Sequence, residues 1–183
     1  MSDPVASNET LMQATGKGDL EAFEEIVRRH RTWAWNLAYR FLGQRDEAED
    51  VVQEAFMRLL DTANRYQPSA SFRTYFHRIV TRLCLDRAKK KQPLFMEDVP
   101  ETPDPSPDAG EVMIRNEADV AVRAALDTLP PNQRMAIVFR YYDNLNYEEI
   151  AAALETSPKA VERLLARGRE HLRATLGARA DFS

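Results

Sequence analysis

Asn146-Tyr147-Glu148-Glu149-Ile150-Ala151-Ala152-Ala153-Leu154-Glu155-Thr156-Ser157-Pro158-Lys159-Ala160-Val161-Glu162-Arg163-Leu164-Leu165 is the stretch that decides the fold. Asn146 and Glu149 have the three-residue spacing of a capping box, so a short helix begins at Tyr147. Leu154 to Ser157 reads as a turn. Ser157 then serves as an N-cap and Pro158 as a first helical residue, which opens a longer helix. Its apolar face is Val161, Leu164, Leu165, Gly168 and Leu172. Lys159, Arg163 and Arg167 follow one another at i+4 on a face turned away from that stripe. Two helices joined by about four residues, the second of them basic, make the helix-turn-helix pattern. In a major groove such side chains reach base edges and phosphates. Short helical hairpins also occur in proteins that bind no DNA, and the pattern alone leaves both readings open.

Upstream of this unit the composition changes. Pro93, Pro100, Pro103, Pro105 and Pro107 crowd an acidic, small-residue stretch. Proline lacks a donor and fixes φ, so this density forbids helix or sheet interior and predicts a flexible linker over 93–111. The division that follows is a helical domain at 1–92, the linker, a second helical domain at 112–177 and a short tail at 178–183. In the first domain Ala48, Val51, Val52, Ala55, Phe56, Leu59, Leu60 and Ala63 recur with helical period, with Asp46 and Glu49 as cap and partner. Asp19 is placed to cap an earlier helix that Gly43 ends, and Ser71 a later one carrying Phe72, Tyr75, Phe76, Ile79, Val80, Leu83 and Cys84. No stretch alternates convincingly with period two. The fold class is therefore all-α: two small helical domains on a flexible acidic, Pro-rich linker.

Charge is unevenly placed. Residues 46–54 carry a net −5, 61–92 a net +6, 97–119 a net −7 and 158–179 a net +4. Two basic islands separated by an acidic one suggest a polyanion met at two places, although solvated helix faces would give the same count. The longest unbroken apolar runs, Met135 to Phe139 and Ile150 to Leu154, are five residues, whereas a membrane span needs about 20. The N-terminus lacks a basic-then-apolar leader pattern, and Cys84 is the single cysteine, which leaves no disulfide and no thiolate zinc site. These features point to the cytoplasm. No phosphate-binding glycine loop, nucleophile elbow or paired-histidine motif is present. His30, His77 and His171 lack metal-spaced partners and read as surface or helix-face residues, and Cys84 as a small buried hydrophobe.

Taken in order, several segments resemble the extracytoplasmic-function (ECF) sigma factors, the smallest class of the sigma-70 family of bacterial RNA polymerase. They are Gly18-Asp19-Leu20-Glu21-Ala22-Phe23, Ala48-Glu49-Asp50-Val51-Val52-Gln53-Glu54-Ala55-Phe56 and Phe72-Arg73-Thr74-Tyr75-Phe76-His77-Arg78-Ile79. In the second half they are Leu129-Pro130-Pro131-Asn132-Gln133-Arg134, Tyr147 to Ala151, and Arg167-Gly168-Arg169. Each segment is weak alone; their order around an acidic linker is specific. The resemblance implies that 1–92 is sigma region 2 and 112–177 sigma region 4, that no cofactor, metal or catalytic residue is needed, and that the partners are core polymerase, promoter DNA and an anti-sigma protein.

It also implies sites. Asp50, Gln53, Glu54, Met57 and Arg58 would dock on the clamp helices of the largest catalytic subunit (beta-prime), an exposed methionine anchor in a polar rim. Asn64, Arg65, Tyr66, Arg73, Tyr75, Arg78 and Arg82 would take the minus-ten element: a loop over 64–70 holding an everted base, and cations, with Lys89, Lys90 and Lys91, tracking phosphates. Tyr66 and Tyr75 would stack on bases, although Tyr75 reads nearly as well as core. Lys159, Glu162, Arg163, Ala166 and Arg167 would read the minus-thirty-five element, with Arg169 and Arg173 nearer the phosphates.

This chain departs from the family at several of these positions. Tyr75 stands where Trp is usual and Arg82 where Asn is common. Glu162 replaces a base, Leu164 a common Arg, and Glu155 the usual turn Gly, where a side chain in a left-handed conformation is strained. Two rival classes remain: a helix-turn-helix regulator that binds duplex without polymerase, which would leave the acidic helix unexplained, and an enzyme, for which the chain offers no site.

Overall fold

The computed structural model describes residues 6–67, 71–91 and 117–177, and its helices begin and end where local side-chain chemistry dictates. The Ser7 hydroxyl accepts from the Thr10 amide and opens α1 (Asn8–Thr15). The Asp19 carboxylate accepts from the Ala22 amide at 3.0 Å and opens α2 (Leu20–Leu42). Gly43, at φ +83°, closes α2 in the left-handed conformation that glycine takes without strain. The next helix corrects one expectation. α3 (Arg45–Thr62) starts at Arg45, and its N-cap is Gln44, whose side chain makes no capping bond. The chain enters α3 directly from the Gly43 turn, so Asp46 falls in the first turn with Glu47. There both acids complement the positive helix end instead of capping it.

A single 3-10 turn, Ala63–Arg65, follows α3. α4 (Phe72–Lys91) opens on Ser71, whose hydroxyl accepts from Thr74, and on Glu9 of α1, which accepts from the Phe72 amide at 2.8 Å. α5 (Glu117–Asp127) and α6 (Pro131–Tyr141) come after the linker. α7 (Tyr147–Ala153) has both bonds of the Asn146–Glu149 capping box, and α8 (Pro158–Leu176) begins with Ser157 accepting from Ala160. Among the described residues there is no strand, as the periodicity predicts. The linker at 93–111 and the tail at 178–183 lie outside the described residues, as do residues 68–70 of the expected base-holding loop and the side chain of Lys91.

In the first half α2 lies against α1, α3 and α4, around a cluster of rings: Phe72 and Phe76 stack at 5.8 Å, Phe56 meets Phe76 at 5.1 Å, and His30 sits against both Phe72 and Phe76. In the second half α8 packs on α6. The two come so close at Gly168 that a Cβ there would lie 3.0 Å from Ile137 Cγ1. Ser157→Ala removes the capping acceptor of α8 and nothing else; a loss of about 1 kcal/mol is expected, read as a lower urea midpoint of the second half.

The two halves also pack on each other. α6 and α7 lie across α2 and α4. The His77 ring is stacked between Trp33 at 4.2 Å and Phe139 at 5.8 Å. Trp33 Nε1 donates to the Asp143 carboxylate at 3.1 Å, with Arg40 at 3.9 Å. The last carbonyls of a helix have no partner within it. Here two of α2 receive donors from the second half: Arg123 reaches the Tyr39 carbonyl at 2.9 Å, and Arg134 the Phe41 carbonyl at 3.0 Å.

Candidate nucleic-acid interface

α8 is amphipathic. Val161, Leu165, Gly168 and Leu172 are buried and Leu164 is half-buried, which leaves Lys159, Glu162, Arg163, Ala166 and Arg167 exposed together on the outer face. At 1.5 Å per residue, Lys159 to Arg167 covers about 12 Å, the length of three to four base-pair steps. The sequence-predicted reading face is thus assembled as a unit. The turn before it holds Glu155 at φ +52°, the left-handed conformation that the usual glycine would take without strain, at a cost of about 1 kcal/mol.

On the first half, Tyr75, Arg78 and Arg82 follow one side of α4 at i, i+3, i+7. They line a groove of about 450 Å³ with Arg58, Asp61, Thr62, Ile79 and Glu155. Tyr75 is half-buried: its hydroxyl shares a 2.7 Å hydrogen bond with Thr62, and its ring lies 5.4 Å from that of Tyr66. The Tyr66 hydroxyl is buried with no hydrogen-bond partner among the described residues, and that burial, with the nearby Glu9 charge, raises its pKa. Arg73 sits about 140° around the helix from Arg78, on the side of His77, and does not line this groove. Asn64 and Arg65 are exposed at the 3-10 turn and also stand outside it. Of the seven residues expected at the minus-ten site, the structure therefore gathers Tyr75, Arg78 and Arg82 in one groove, with Tyr66 against Tyr75. Arg58, expected on the polymerase face, joins them. The Arg78 guanidinium is engaged, because its Nε donates to the Ala152 carbonyl of α7 at 2.8 Å.

The outer face of α3 carries Asp50, Gln53, Glu54, Met57 and Arg58. Met57 is 53% exposed, uncommon for a large apolar side chain and fit for an anchor. Glu54 pairs with Arg58 at 2.6 Å. Arg87 of α4 reaches both Asp50 at 3.4 Å and Glu54 at 3.5 Å. Arg87 was not among the expected site residues. Its only signal in the sequence is membership of the basic run that follows the acidic helix.

Two histidines differ from expectation. His77 is only 4% exposed, and burial, then the charges of Arg73 and His30, push its pKa down to about 3. His30 is half-buried among the phenylalanines, and desolvation lowers its pKa as well. His171 is exposed as expected and shares a 2.8 Å hydrogen bond with Thr128. Cys84 is buried, and burial pushes its thiol up to about 12, so it remains a neutral packing group. Among the described residues no His, Cys, Asp or Glu cluster has the geometry of a metal site, and no helix is long and apolar enough to cross a membrane.

Comparison with known proteins agrees with this layout. Residues 26–93 match the family Sigma-70 region 2, and residues 119–172 match Sigma-70, region 4. The chain is 36% identical to the ECF RNA polymerase sigma factor SigE of Mycolicibacterium smegmatis, over 89% of this chain and 65% of that protein. It is 32% identical to the ECF RNA polymerase sigma factor SigW of Bacillus subtilis, over 87% of this chain and 91% of that one. The fold is shared with CnrH, solved in complex with the cytosolic domain of CnrY, at a TM-score of 0.71 and 24% identity, over 96% of this chain and 100% of that chain. Two region matches in order, and a relative matched along nearly its whole length, place this chain in the extracytoplasmic-function family of RNA polymerase sigma factors.

Proposed function

We propose that the chain lends core RNA polymerase its promoter specificity, gripping the minus-ten element with residues 1–92 and the minus-thirty-five element with residues 112–177. The observation that carries this reading is the exposed Lys159–Arg167 face on a helix whose opposite face is wholly committed to packing. Arg163 and Arg167 supply paired donors to guanine; Lys159, Glu162 and Ala166 complete the reading face. Glu162 accepts from a cytosine amino group rather than attracting phosphate. Asp50, Gln53, Glu54, Met57 and Arg58 dock on the beta-prime clamp helices. Tyr66, Tyr75, Arg78 and Arg82, with Asn64, Arg65 and Arg73 on the flanks, take the nontemplate strand.

No nucleotide is hydrolysed, and the chain is not itself an enzyme. Flipping a base costs a few kcal/mol, offset by stacking worth about 1–3 kcal/mol per base and by phosphate contacts that favour the open strand. The linker at 93–111 tethers the halves; extended, its residues span about 60 Å at roughly 3.3 Å each. The work is done in the cytoplasm, where polymerase is. An anti-sigma protein holds the chain inactive by covering the polymerase and DNA faces, in keeping with CnrH, a chain of the same fold that was solved with a second polypeptide bound.

The test is transcription by sigma-free polymerase of the host on a genomic fragment library. New start sites are expected only when the chain is added. Arg163→Ala and Arg167→Ala are each expected to lower promoter use by about 1–3 kcal/mol, or 5- to 150-fold, with core binding unchanged. Equal transcription from parent and variants would remove the recognition-helix assignment. Promoter duplex bound tightly without polymerase would favour the stand-alone regulator.

A further inference from the structure

α1 supplies none of the residues assigned to polymerase or DNA, yet it touches both described ends of the segment between α3 and α4. At one end Gly16, the C-cap of α1, lies against the 3-10 turn. A Cβ there would collide with the Ala63 carbonyl oxygen and stand 2.9 Å from its carbon and 3.2 Å from Asn64 Cα. Gly16 has φ −64° and ψ −17°, a conformation any residue adopts, so close approach and not backbone freedom calls for glycine. Ala63 is buried, and Asn64 and Arg65 beside it are exposed. At the other end the Glu9 carboxylate accepts from the Phe72 amide at 2.8 Å, across 63 positions of sequence.

An amide in the first turn of a helix has no acceptor within that helix. In α4 the Ser71 hydroxyl meets the Thr74 amide at 3.2 Å, and Glu9 meets that of Phe72. The carboxylate also faces the positive end of the α4 dipole. Tyr75 stands in this same turn, its amide closing on the Ser71 carbonyl at 3.1 Å. Its ring lies 5.4 Å from that of Tyr66, and its hydroxyl shares the 2.7 Å bond with Thr62. α1 is itself held. Leu11 and Met12 are buried, and Arg29 of α2 donates to the Ala6 carbonyl at 2.7 Å and to Asn8 at 3.2 Å. The Glu9 bond therefore ties the start of α4 to the packed core and not to another loop.

We infer that Glu9 is a positioning residue for capture of the minus-ten strand: through its bond to Phe72 it fixes the first turn of α4, and so the Tyr66–Tyr75 pair, against the turn Ala63–Arg65 that Gly16 seats. The inference rests on the assignment of Asn64, Arg65, Tyr66 and Tyr75 to that strand. An everted base needs its stacking partners preset to within about 0.5 Å, and residues beside a loop meet that tolerance only when supporting contacts lock them. Docking of duplex through α8 and the phosphates makes no such demand. Loss of the bond should therefore slow opening and spare the step before it. The expected size is about tenfold, or 1.4 kcal/mol, near the lower end of what a hydrogen bond to a charged group contributes.

The experiment uses the full-length chain assembled with sigma-free core polymerase of the host, on a promoter recovered from the genomic fragment library. Varying the holoenzyme concentration separates the affinity of the initial complex from the rate at which it opens, followed by permanganate reactivity of thymines. Glu9→Ala is expected to open about tenfold more slowly, with initial affinity and core affinity unchanged. Glu9→Gln keeps an acceptor for the Phe72 amide and is expected to open at close to the parent's rate. A residue that served only to stabilise the fold would lower the fraction of active complexes, read as final yield, without slowing those that remain.

Opening by Glu9→Ala at the parent's rate or faster would overturn the inference, and so would a loss confined to final yield. Glu9→Gln as slow as Glu9→Ala would overturn it too, because the bond to Phe72 would then not be what matters. Asn64→Ala/Arg65→Ala, at two exposed positions, tests the reading beneath it. If that variant opens at the parent's rate, the turn does not meet the strand, and the positioning role falls with the assignment. If it opens slowly while Glu9→Ala does not, only the positioning role falls.

Discussion

Lysine at both Asp50 and Glu54 is expected to lower affinity for sigma-free core polymerase at least 100-fold without unfolding the chain. The two carboxylates sit one turn apart on the outer face of α3, with side-chain exposures of 66% and 41%, and Met57 projects beside them. Removing one member of a charge pair that becomes desolvated at an interface costs about 2–5 kcal/mol, and two such losses exceed the 2.8 kcal/mol of a 100-fold change. Reversal also sets the new ammonium groups against Arg58 and Arg87, which now neutralise the acids, but that repulsion is within the chain and falls on the fold, not on affinity. The fold gives up little, since exposed ion pairs contribute only about 0–1 kcal/mol. Fluorescence anisotropy of the labelled chain against core enzyme measures the effect, with circular dichroism as the folding control. Asp50→Asn/Glu54→Gln, which removes charge without reversing it, should lose less. A change below about threefold for the double reversal would move the polymerase contact off this face.

What was legible in the sequence was local. Asp19, Gly43, the Asn146–Glu149 pair and Ser157 each cap the helix their neighbours predict, because a cap acts within one turn of itself. The strain at Glu155 was legible only through the resemblance, which places glycine at that turn. Asp46 misled as a cap because the Gly43 turn sets the helix start at Gln44, and an offset of two residues is finer than capping signals resolve. Helical period shows which face of a segment is buried but not which helix buries it. His77 therefore read as an ordinary helix-face residue, although Phe139, 62 positions later, closes over its ring. Arg87 read as one cation in a basic run, although the acids it holds lie 33 and 37 positions earlier. Asp143, in a Tyr-Asp-Asn loop, has the composition of a solvent turn and is instead covered by the other half. Those residues belong to contacts between elements, and no periodicity within an element encodes them.

Acidification is expected to loosen the chain through His77. In the packed state its pKa is about 3, against 6.5 for a free imidazole. Above pH 6.5 the ring is neutral in both states and stability does not depend on it. Between about 6.5 and 3 the exposed imidazole binds a proton that the packed one refuses. The packed state therefore loses about 1.4 kcal/mol for each unit that pH falls, or about 2 kcal/mol from pH 6.5 to 5. Neutral His77 is sandwiched by Trp33 from the first half and Phe139 from the second, so part of this loss falls on docking of the halves as well as on folding. His30, whose pKa burial also lowers, acts in the same sense. Asp143 acts in the opposite sense: burial raises its carboxyl pKa, so as pH falls the packed form takes up a proton before the open one, in a window that lies above the ordinary 3.8. His77→Phe keeps an aromatic ring between Trp33 and Phe139 and removes the titration. Urea midpoints measured from pH 8 to 5 should therefore fall for the parent below pH 6.5 and fall much less for His77→Phe. Identical slopes for the two chains would mean that the buried imidazole does not govern the acid sensitivity.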